Sequence, residues 1–445
     1  MKRQDEIDES QKMKIDLKTL EKHSSKILFA ATIGALGLSF AGTVLNSHLL
    51  GDTKFGDWKY LQSFVVLVSY LVNFGLYSSG GRLVAATDNP DKIRTYKGYL
   101  MYFALAGLSI IILSLLVCGF FFPKVLSKSL FNMALLMLPL FIIHPLGFYF
   151  ESVYQGQKKL LGLAAYRFIP PFLYVIMLYA FQSYSEGSIY YNALLYYATS
   201  FIVCMVLLKT DRPLFKKGTS EWKDLKMQHK SFGVQLYWGG LWGVGVIYLL
   251  PILVGYFNID NKDVGHYSLA LSFIMPLSIL PSIVGTSNFK GYITAKSIPK
   301  ENFRKVVIAC LVMQVMLLLF VDYIIAFFLK PEYKDVGTLI KIGSFGAILH
   351  GFGDFVNKFL LAKGESKYMK KVSIAVGLVQ LISSLVLIKL YSSTGGIIAK
   401  SLGSLTLFLA LYIFYYRKYI VGKAEGQKIV IHEEEVSDIP EMPVE

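Results

Sequence analysis

An all-helical integral membrane protein of about twelve spans, arranged as two pseudo-symmetric halves of six, is the fold class that this sequence predicts. Three observations predict it. A mean hydropathy of +0.50, with 54% hydrophobic and only 17% charged residues in 445 positions, does not fit a soluble globular chain. Apolar runs of roughly 20 residues recur from end to end, each long enough to cross about 30 Å of hydrocarbon as a helix. A polar stripe inside one such run returns about two hundred residues later inside another.

The first span, Ile27 to Leu50, follows the charged stretch MKRQDEIDESQKMK. This charged and polar stretch does not have the pattern of a cleavable signal, so the first span itself is expected to act as the insertion signal. It carries Gly34 and Gly37. The second, Trp58 to Ser79, runs into Gly80, Gly81 and Arg82. The third, Tyr99 to Phe122, and the sixth, Ile189 to Leu208, are uninterrupted apolar stretches. Cys118 and Cys204 lie in these two and Cys310 in the ninth, each without a ligand-spaced neighbour, so they read as packing residues. The fourth, Met133 to Glu151, carries the first stripe: His144, Gly147, Glu151 and Gln155 share one broad helical face that extends just past its end. The fifth, Leu160 to Phe181, holds Arg167 just before Pro170 and Pro171, where a missing amide and a ring clash are expected to kink the helix.

The seventh, Phe232 to Phe257, contains Gly239, Gly240, Gly243 and Gly245. The eighth runs from His266 to Asn288 and the ninth from Val306 to Leu329. The tenth, Gly337 to Leu361, repeats the stripe as His350, Gly353, Asp354 and Asn357. Val372 to Leu390 and Gly395 to Tyr416 complete the set. The expected organisation is therefore a cytoplasmic segment 1–26, an N-lobe 27–208, a cytoplasmic inter-lobe loop 209–231, a C-lobe 232–416 and an acidic, disordered tail 417–445.

Numbering the connections alternately separates the basic residues. Of the 45 lysines and arginines, 33 fall on the side of the N-terminus, and only Lys54, Lys59, Lys124, Lys128, Lys262, Lys330, Lys334 and Lys389 on the other. Such a bias places both termini in the cytoplasm. The formal charge of +15 then reflects topology and contact with anionic membrane lipid, not nucleic acid, because no base-stacking module accompanies it. The nearest approach to a phosphate loop, Gly395 through Lys400 and Ser401, lacks its second glycine and lies in a span, so neither an ATP site nor any cofactor or metal site is expected.

The two halves show internal similarity. Phe55 to Phe64 realigns without gaps on Val264 to Phe273, at an offset of 209 that also carries Gly34 onto Gly243. An even number of spans per half gives both the same orientation, with the pseudo-axis along the membrane normal.

The stretches LGDTKFGDWKYLQSFVVLVSYLVNFGLYSSGGRLVA and ESVYQGQKKLLGLAAYRF, set in this twelve-span layout, resemble the first loop with second span and the fourth-span ending of bacterial polysaccharide (O-antigen type) flippases. These belong to the multidrug/oligosaccharidyl-lipid/polysaccharide exporter (MOP) superfamily. The resemblance implies a V-shaped pair of lobes around a central cavity in the bacterial cytoplasmic (inner) membrane. It implies a monomeric transporter, not an enzyme, that moves an undecaprenyl-diphosphate-linked oligosaccharide outward for O-antigen, lipopolysaccharide or capsule biosynthesis. An ion gradient would drive it, and polysaccharide polymerase machinery is the implied partner.

A lipid diphosphate crossing hydrocarbon needs cations along its route. Arg167 is the leading candidate, since a charge there costs about 2.5–3.5 kcal/mol on insertion scales and should face a cavity or a partner. The competing readings are snorkelling to the interface and a structural pair with Glu151. Arg82 is a weaker candidate, as an arginine at a helix end is the ordinary topology anchor. Lys341, Lys358 and Lys400 lie near span ends and can snorkel, while Gln155 and Asn357 are candidates for polar contacts to phosphate or sugar. Glu151, Asp354, His144 and His350 are candidates for ion coupling, against hydrogen bonding between helices as the alternative. The glycines Gly34, Gly37, Gly239, Gly240, Gly243 and Gly245, with Pro170 and Pro171, are hinge or gating candidates, against static small-residue packing.

Three rival functions remain open at this level. A cation-coupled drug antiporter would need an acidic cavity, whereas the intramembrane charges are basic at least as often as acidic. A membrane-embedded polysaccharide polymerase or ligase commonly displays large outward loops, and here every outward connection is short. A lipid II flippase usually carries two further spans.

Overall fold

The computed structural model describes residues 23–216 and 219–421, and among them helices dominate and no strand occurs. The first 22 residues of the expected N-terminal segment, Lys217 and Gly218 of the expected loop, and the expected disordered tail from 422 onward lie outside the described residues. Among the described residues, ten helices are long and apolar enough to cross a membrane, and a bent pair makes an eleventh. One of the ten, Lys367–Val421, is itself two helices meeting at Ser392, whose φ of 51° and ψ of −130° are not helical. Each of the expected spans thus has a helix.

α1 (Ser24–Leu50) and α2 (Asp52–Leu71) are joined by Gly51 alone, whose φ of 72° favours glycine at this connection. α3 (Leu76–Ala85) continues α2 after a 61° bend. The second span was expected as one helix; it breaks because Phe74 and Gly75 both take positive φ, and Tyr237 donates to the freed carbonyl of Leu71 at 2.8 Å. α4 (Pro90–Phe121) starts where Asn89 caps the amides of Asp91 and Lys92, with Pro90 at the first helical position. The fourth span is α5 (Lys128–Met137), a 3₁₀ turn over Leu138–Ile142 opened by Pro139, and α6 (Ile143–Gly156).

α7 (Leu160–Ala180) keeps its helical path through Pro170 and Pro171, and α8 (Ile189–Asp211) is capped by Ser188. Two π turns, His229–Gly233 and Leu241–Gly245, interrupt the seventh span between α9 (Thr219–Gln228), α10 (Val234–Gly240) and α11 (Val246–Phe257). The expected loop 209–231 is thus largely helix: Trp222 of α9 packs 5.3 Å from the Tyr99 ring, and Tyr96 donates to Asp224 at 3.0 Å. α12 (Lys262–Ser287), α13 (Lys300–Phe328), α14 (Val336–Ala362) and α15 (Ser366–Tyr415) complete the helices that matter below.

The described chain forms two compact units. One extends to Leu269 and takes back Phe328–Tyr333; the other comprises Ala270–Phe327 and the described residues from Lys334. In the first, Trp58 meets Tyr196 and Tyr197 edge to face, with Phe141 against Tyr197. In the second, Tyr292, Phe355, Phe359 and Tyr415 form the aromatic centre of the core. Large apolar side chains such as Phe120, Phe121, Phe327 and Leu390 are exposed, as surfaces meant for lipid must be.

Candidate functional site

A cavity of about 520 Å³ lies within the first unit. α1 contributes Ser39, Gly42, Thr43 and Asn46; α2 contributes Trp58, Lys59, Gln62, Val66 and Ser69. Lys59, Gln62, Val66 and Ser69 follow helical spacing, so one face of α2 lines the space. α6 adds Ile143, His144, Gly147, Phe148 and Glu151, and α7 adds Tyr166, Arg167, Pro170, Pro171 and Tyr174. Tyr196, Ser200 and Cys204 of α8 and Tyr248 of α11 close it.

Arg167 and Glu151 form a two-pronged pair in its wall. Nε donates to Oε1 at 2.8 Å and Nη2 to Oε2 at 2.6 Å, the fork geometry in which guanidinium matches carboxylate. The third nitrogen, Nη1, reaches Thr32 Oγ1 at 3.2 Å. Gln155 supports the other partner, donating to Glu151 Oε2 at 2.9 Å. Both charged side chains keep contact with the open space, at 30% exposure for Arg167 and 34% for Glu151. Behind them the prolines withhold the amides that would bond the carbonyls of Tyr166 and Arg167, leaving polar backbone on this stretch of α7.

Lys59 was counted from the sequence as a flanking lysine on the outer side. The structure begins α2 at Asp52, so Lys59 lies two turns inside the helix and lines the cavity. Its contacts are a long hydrogen bond of 3.4 Å to Gln62 and the Phe55 ring at 5.5 Å; no carboxylate pairs with it among the described residues. The acids closest to it in sequence are engaged elsewhere, Asp57 with Asn261 at 2.7 Å and Asp52 with Lys262 at 3.0 Å. The cavity wall thus carries two cations against one carboxylate. Trp58, Tyr166, Tyr174, Tyr196 and Tyr248 supply aromatic surface, and Asn46 is hydrogen bonded to the Tyr174 hydroxyl. His144 stands edge on to Tyr197 at 5.8 Å, with its Nε2 unpartnered.

A second ionic group holds the back of α6. Asp211, at the end of α8, accepts from Lys97 Nζ at 2.7 Å, Lys159 Nζ at 3.2 Å and Tyr149 OH at 2.5 Å. Its side chain is 0% exposed and that of Lys97 3%, so this pair is sealed where the Arg167 pair is open. Lys97 was expected as a cytoplasmic flank of the third span. α4 starts at Pro90, which draws Lys97 into the helix and the interior.

The remaining candidates lie elsewhere. Arg82 is exposed over the Phe232 ring at 4.8 Å and does not line the cavity. Gln155 acts on Glu151 from outside the lining. In the second unit, Asp354 accepts from Ser282 at 2.5 Å and Asn357 at 3.2 Å and lies 3.5 Å from Lys358, with His350 near both Asp354 and Lys400. Lys341 pairs with Asp322 at 2.9 Å, where both are well exposed. Of the glycines, Gly34 packs on Phe168, Gly240 on the Tyr70 hydroxyl and Gly245 on Leu241, while Gly37 and Gly239 have nothing within 4 Å of an added Cβ. Gly243 lies in the second π turn. Two signals marked what was missed: the spacing of Lys59, Gln62 and Ser69 on one helical face, and the tyrosines at 166, 174 and 196 inside apolar runs.

No family model and no curated relative matches this sequence. Solved structures do. The chain is similar to a lipid II flippase MurJ in an inward closed conformation, with a TM-score of 0.66 and 14% identity over 94% of this chain and 93% of that one. It is similar to an inward-facing multidrug resistance MATE family transporter of the MOP superfamily, with a TM-score of 0.63 and 12% identity over 88% of this chain and 96% of that one. A MOP superfamily transporter from Pyrococcus furiosus, for which a binding pocket of reverse polarity is described, aligns with a TM-score of 0.53 and 12% identity over 90% and 96%. The fold of this chain is the helical fold of MOP-superfamily transporters.

Proposed function

We propose that this chain is a flippase that carries an undecaprenyl-diphosphate-linked oligosaccharide repeat unit across the bacterial cytoplasmic membrane for surface polysaccharide synthesis, by ion-coupled alternating access. The observation that supports it most is the cavity wall, where Lys59 and Arg167 outnumber Glu151 and aromatic rings alternate with polar side chains. Such a wall suits an anionic group attached to a sugar, because two phosphate oxygens can accept from the Arg167 fork as the two carboxylate oxygens of Glu151 do, while rings stack on sugar faces. On this reading the headgroup competes with Glu151 for the guanidinium. Glu151, left without its cation, is then the group that receives the coupling proton, and expulsion of the cargo restores the pair. The prenyl chain stays in lipid throughout, both termini face the cytoplasm, and the working unit is a monomer that hands its product to the polymerase machinery.

A cation-coupled antiporter is the second reading, favoured by the multidrug transporter among the similar structures. The charge balance of the cavity argues against it. The test is deletion of the gene in its host followed by analysis of lipid-linked intermediates. Completed repeat units accumulating on the inner leaflet are expected; accumulation of lipid II instead would reassign the cargo. Unchanged lipids with altered drug tolerance would establish the antiporter.

A further inference from the structure

We propose that α4 and α9 together form a binding site for an anionic phospholipid, in the leaflet that meets the first turns of α4. Three zones that succeed one another along α4 carry this. The first is apolar. Leu105, Ile110, Leu113, Val117 and Phe120 are all exposed and fall on one side of the helix, over roughly 22 Å of its length. Apolar side chains exposed over most of the thickness of the hydrocarbon core are a surface for acyl chains.

The second zone is aromatic and lies where that stripe ends. Tyr102, about one turn nearer the start of α4 than Leu105, packs on Phe215 with ring centres 5.3 Å apart, and Tyr99 and Phe103 meet Trp222 at 5.3 and 6.0 Å. α9 and the segment before it thus bring two rings to α4 from a distant part of the chain. Leu225 is buried and anchors α9, yet Tyr102, Phe215 and Trp222 all remain exposed. Rings packed on one side and open on the other suit the boundary between hydrocarbon and headgroups.

The third zone is cationic. Lys226 Nζ lies 5.9 Å from the centre of the Trp222 ring, Lys216 follows Phe215, and Arg94, about two turns before Tyr102, donates Nε to the Arg212 carbonyl at 3.3 Å. All three side chains are exposed, and none is ion-paired among the described residues. Asp224, two residues before Lys226, accepts from Tyr96 instead. Apolar, aromatic and cationic zones in this order match the acyl chain, the ester region and the phosphate of a phospholipid, and the uncompensated cations select an anionic one. Neither α4 nor α9 supplies a residue to the cavity lining among the described residues, so a lipid held here lies outside the wall that faces a cargo.

The test uses the purified, delipidated full-length protein in detergent, with binding of phosphatidylglycerol, phosphatidylcholine and undecaprenyl phosphate measured by native mass spectrometry. Phosphatidylglycerol is expected to bind the unaltered protein at least fivefold more tightly than phosphatidylcholine. Lys216→Gln combined with Lys226→Gln should cut that preference to less than twofold. Lys367→Gln combined with Lys370→Gln, which removes the same charge from two exposed lysines at the start of α15, should leave it unchanged. Absence of a preference in the unaltered protein, or a preference that survives the first pair of substitutions, overturns the inference. Equal loss in both double variants also overturns it, by making the preference an effect of net charge. Undecaprenyl phosphate weakened by the first pair as much as phosphatidylglycerol overturns it too, by giving the surface to a prenyl lipid.

Discussion

The two polar stripes begin with the same His-x-x-Gly spacing and end in different environments. In the first, Glu151 is held by a side chain from the next helix: Arg167, sixteen residues on, grips it across a cavity wall. In the second, Asp354 is satisfied mostly by its own turn, through Asn357 and Lys358, with Ser282 closing the set. The first carboxylate has one charged partner, Arg167, which an incoming anion can take away, and a neutral one, Gln155, from its own helix. The second has its partners distributed and needs nothing from a ligand. Equal spacing on two helices therefore says which residues share a face, and the neighbouring helix decides whether that face is a working surface or a closed contact.

The largest effect is expected behind the first stripe, at the sealed group that holds α6 in place. Asp211→Ala strands Lys97 in a buried site and should lower stability by about 3–5 kcal/mol, read as a fall in the thermal unfolding temperature in detergent. An undiminished transition would mean that α6 is not anchored there, and the contrast between an open and a sealed pair would lose its basis.

Arg167→Ala comes next. Because that pair is about one third exposed, the cost of stranding Glu151 should be only about 1–2 kcal/mol, well below the fully buried case. On the proposed carrier function, transport, read as surface polysaccharide, should stop. Adding Glu151→Gln should return most of the stability without returning transport; recovery of both would reduce the pair to a structural tie.

The stripe glycines should then separate the two helices further. A Cβ on Gly353 meets Leu407 Cγ at 2.9 Å and the Phe408 amide nitrogen at 3.3 Å, so Gly353→Ala is expected to cost about 1–2 kcal/mol. A Cβ on Gly147 meets chiefly the Tyr166 hydroxyl, which can swing into the cavity, and the helix propensity of alanine offsets the shift. Gly147→Ala should lie within about 0.5 kcal/mol of the parent in the same unfolding assay. Smallest of all, Asp354→Asn keeps an acceptor for Ser282 and should cost less than about 1 kcal/mol while leaving sugar export intact. Loss of export in a protein of normal stability would show that the second stripe also works on a ligand or ion.

The sequence by itself determined the class of fold, because apolar runs of spanning length leave a chain no alternative to crossing hydrocarbon as helices. It also put His144, Gly147 and Glu151 on one face and raised the Arg167–Glu151 pair as a possible partnership, since helical periodicity is a local property. It misplaced Lys59, the second residue of an expected span, and Lys97, two residues before another, as flanking charges, because hydropathy begins a span where the apolar run begins, whereas the helices start earlier and carry these charges to a cavity and a buried partner. The break at Phe74 and Gly75 was hidden for a related reason: the carbonyl it frees is satisfied by Tyr237, a residue of another span. Only the tertiary structure decided which charges are paired and which cavity-lining cation has no carboxylate partner among the described residues. That is set by which helices become neighbours, and spacing along one helix carries no record of its neighbours.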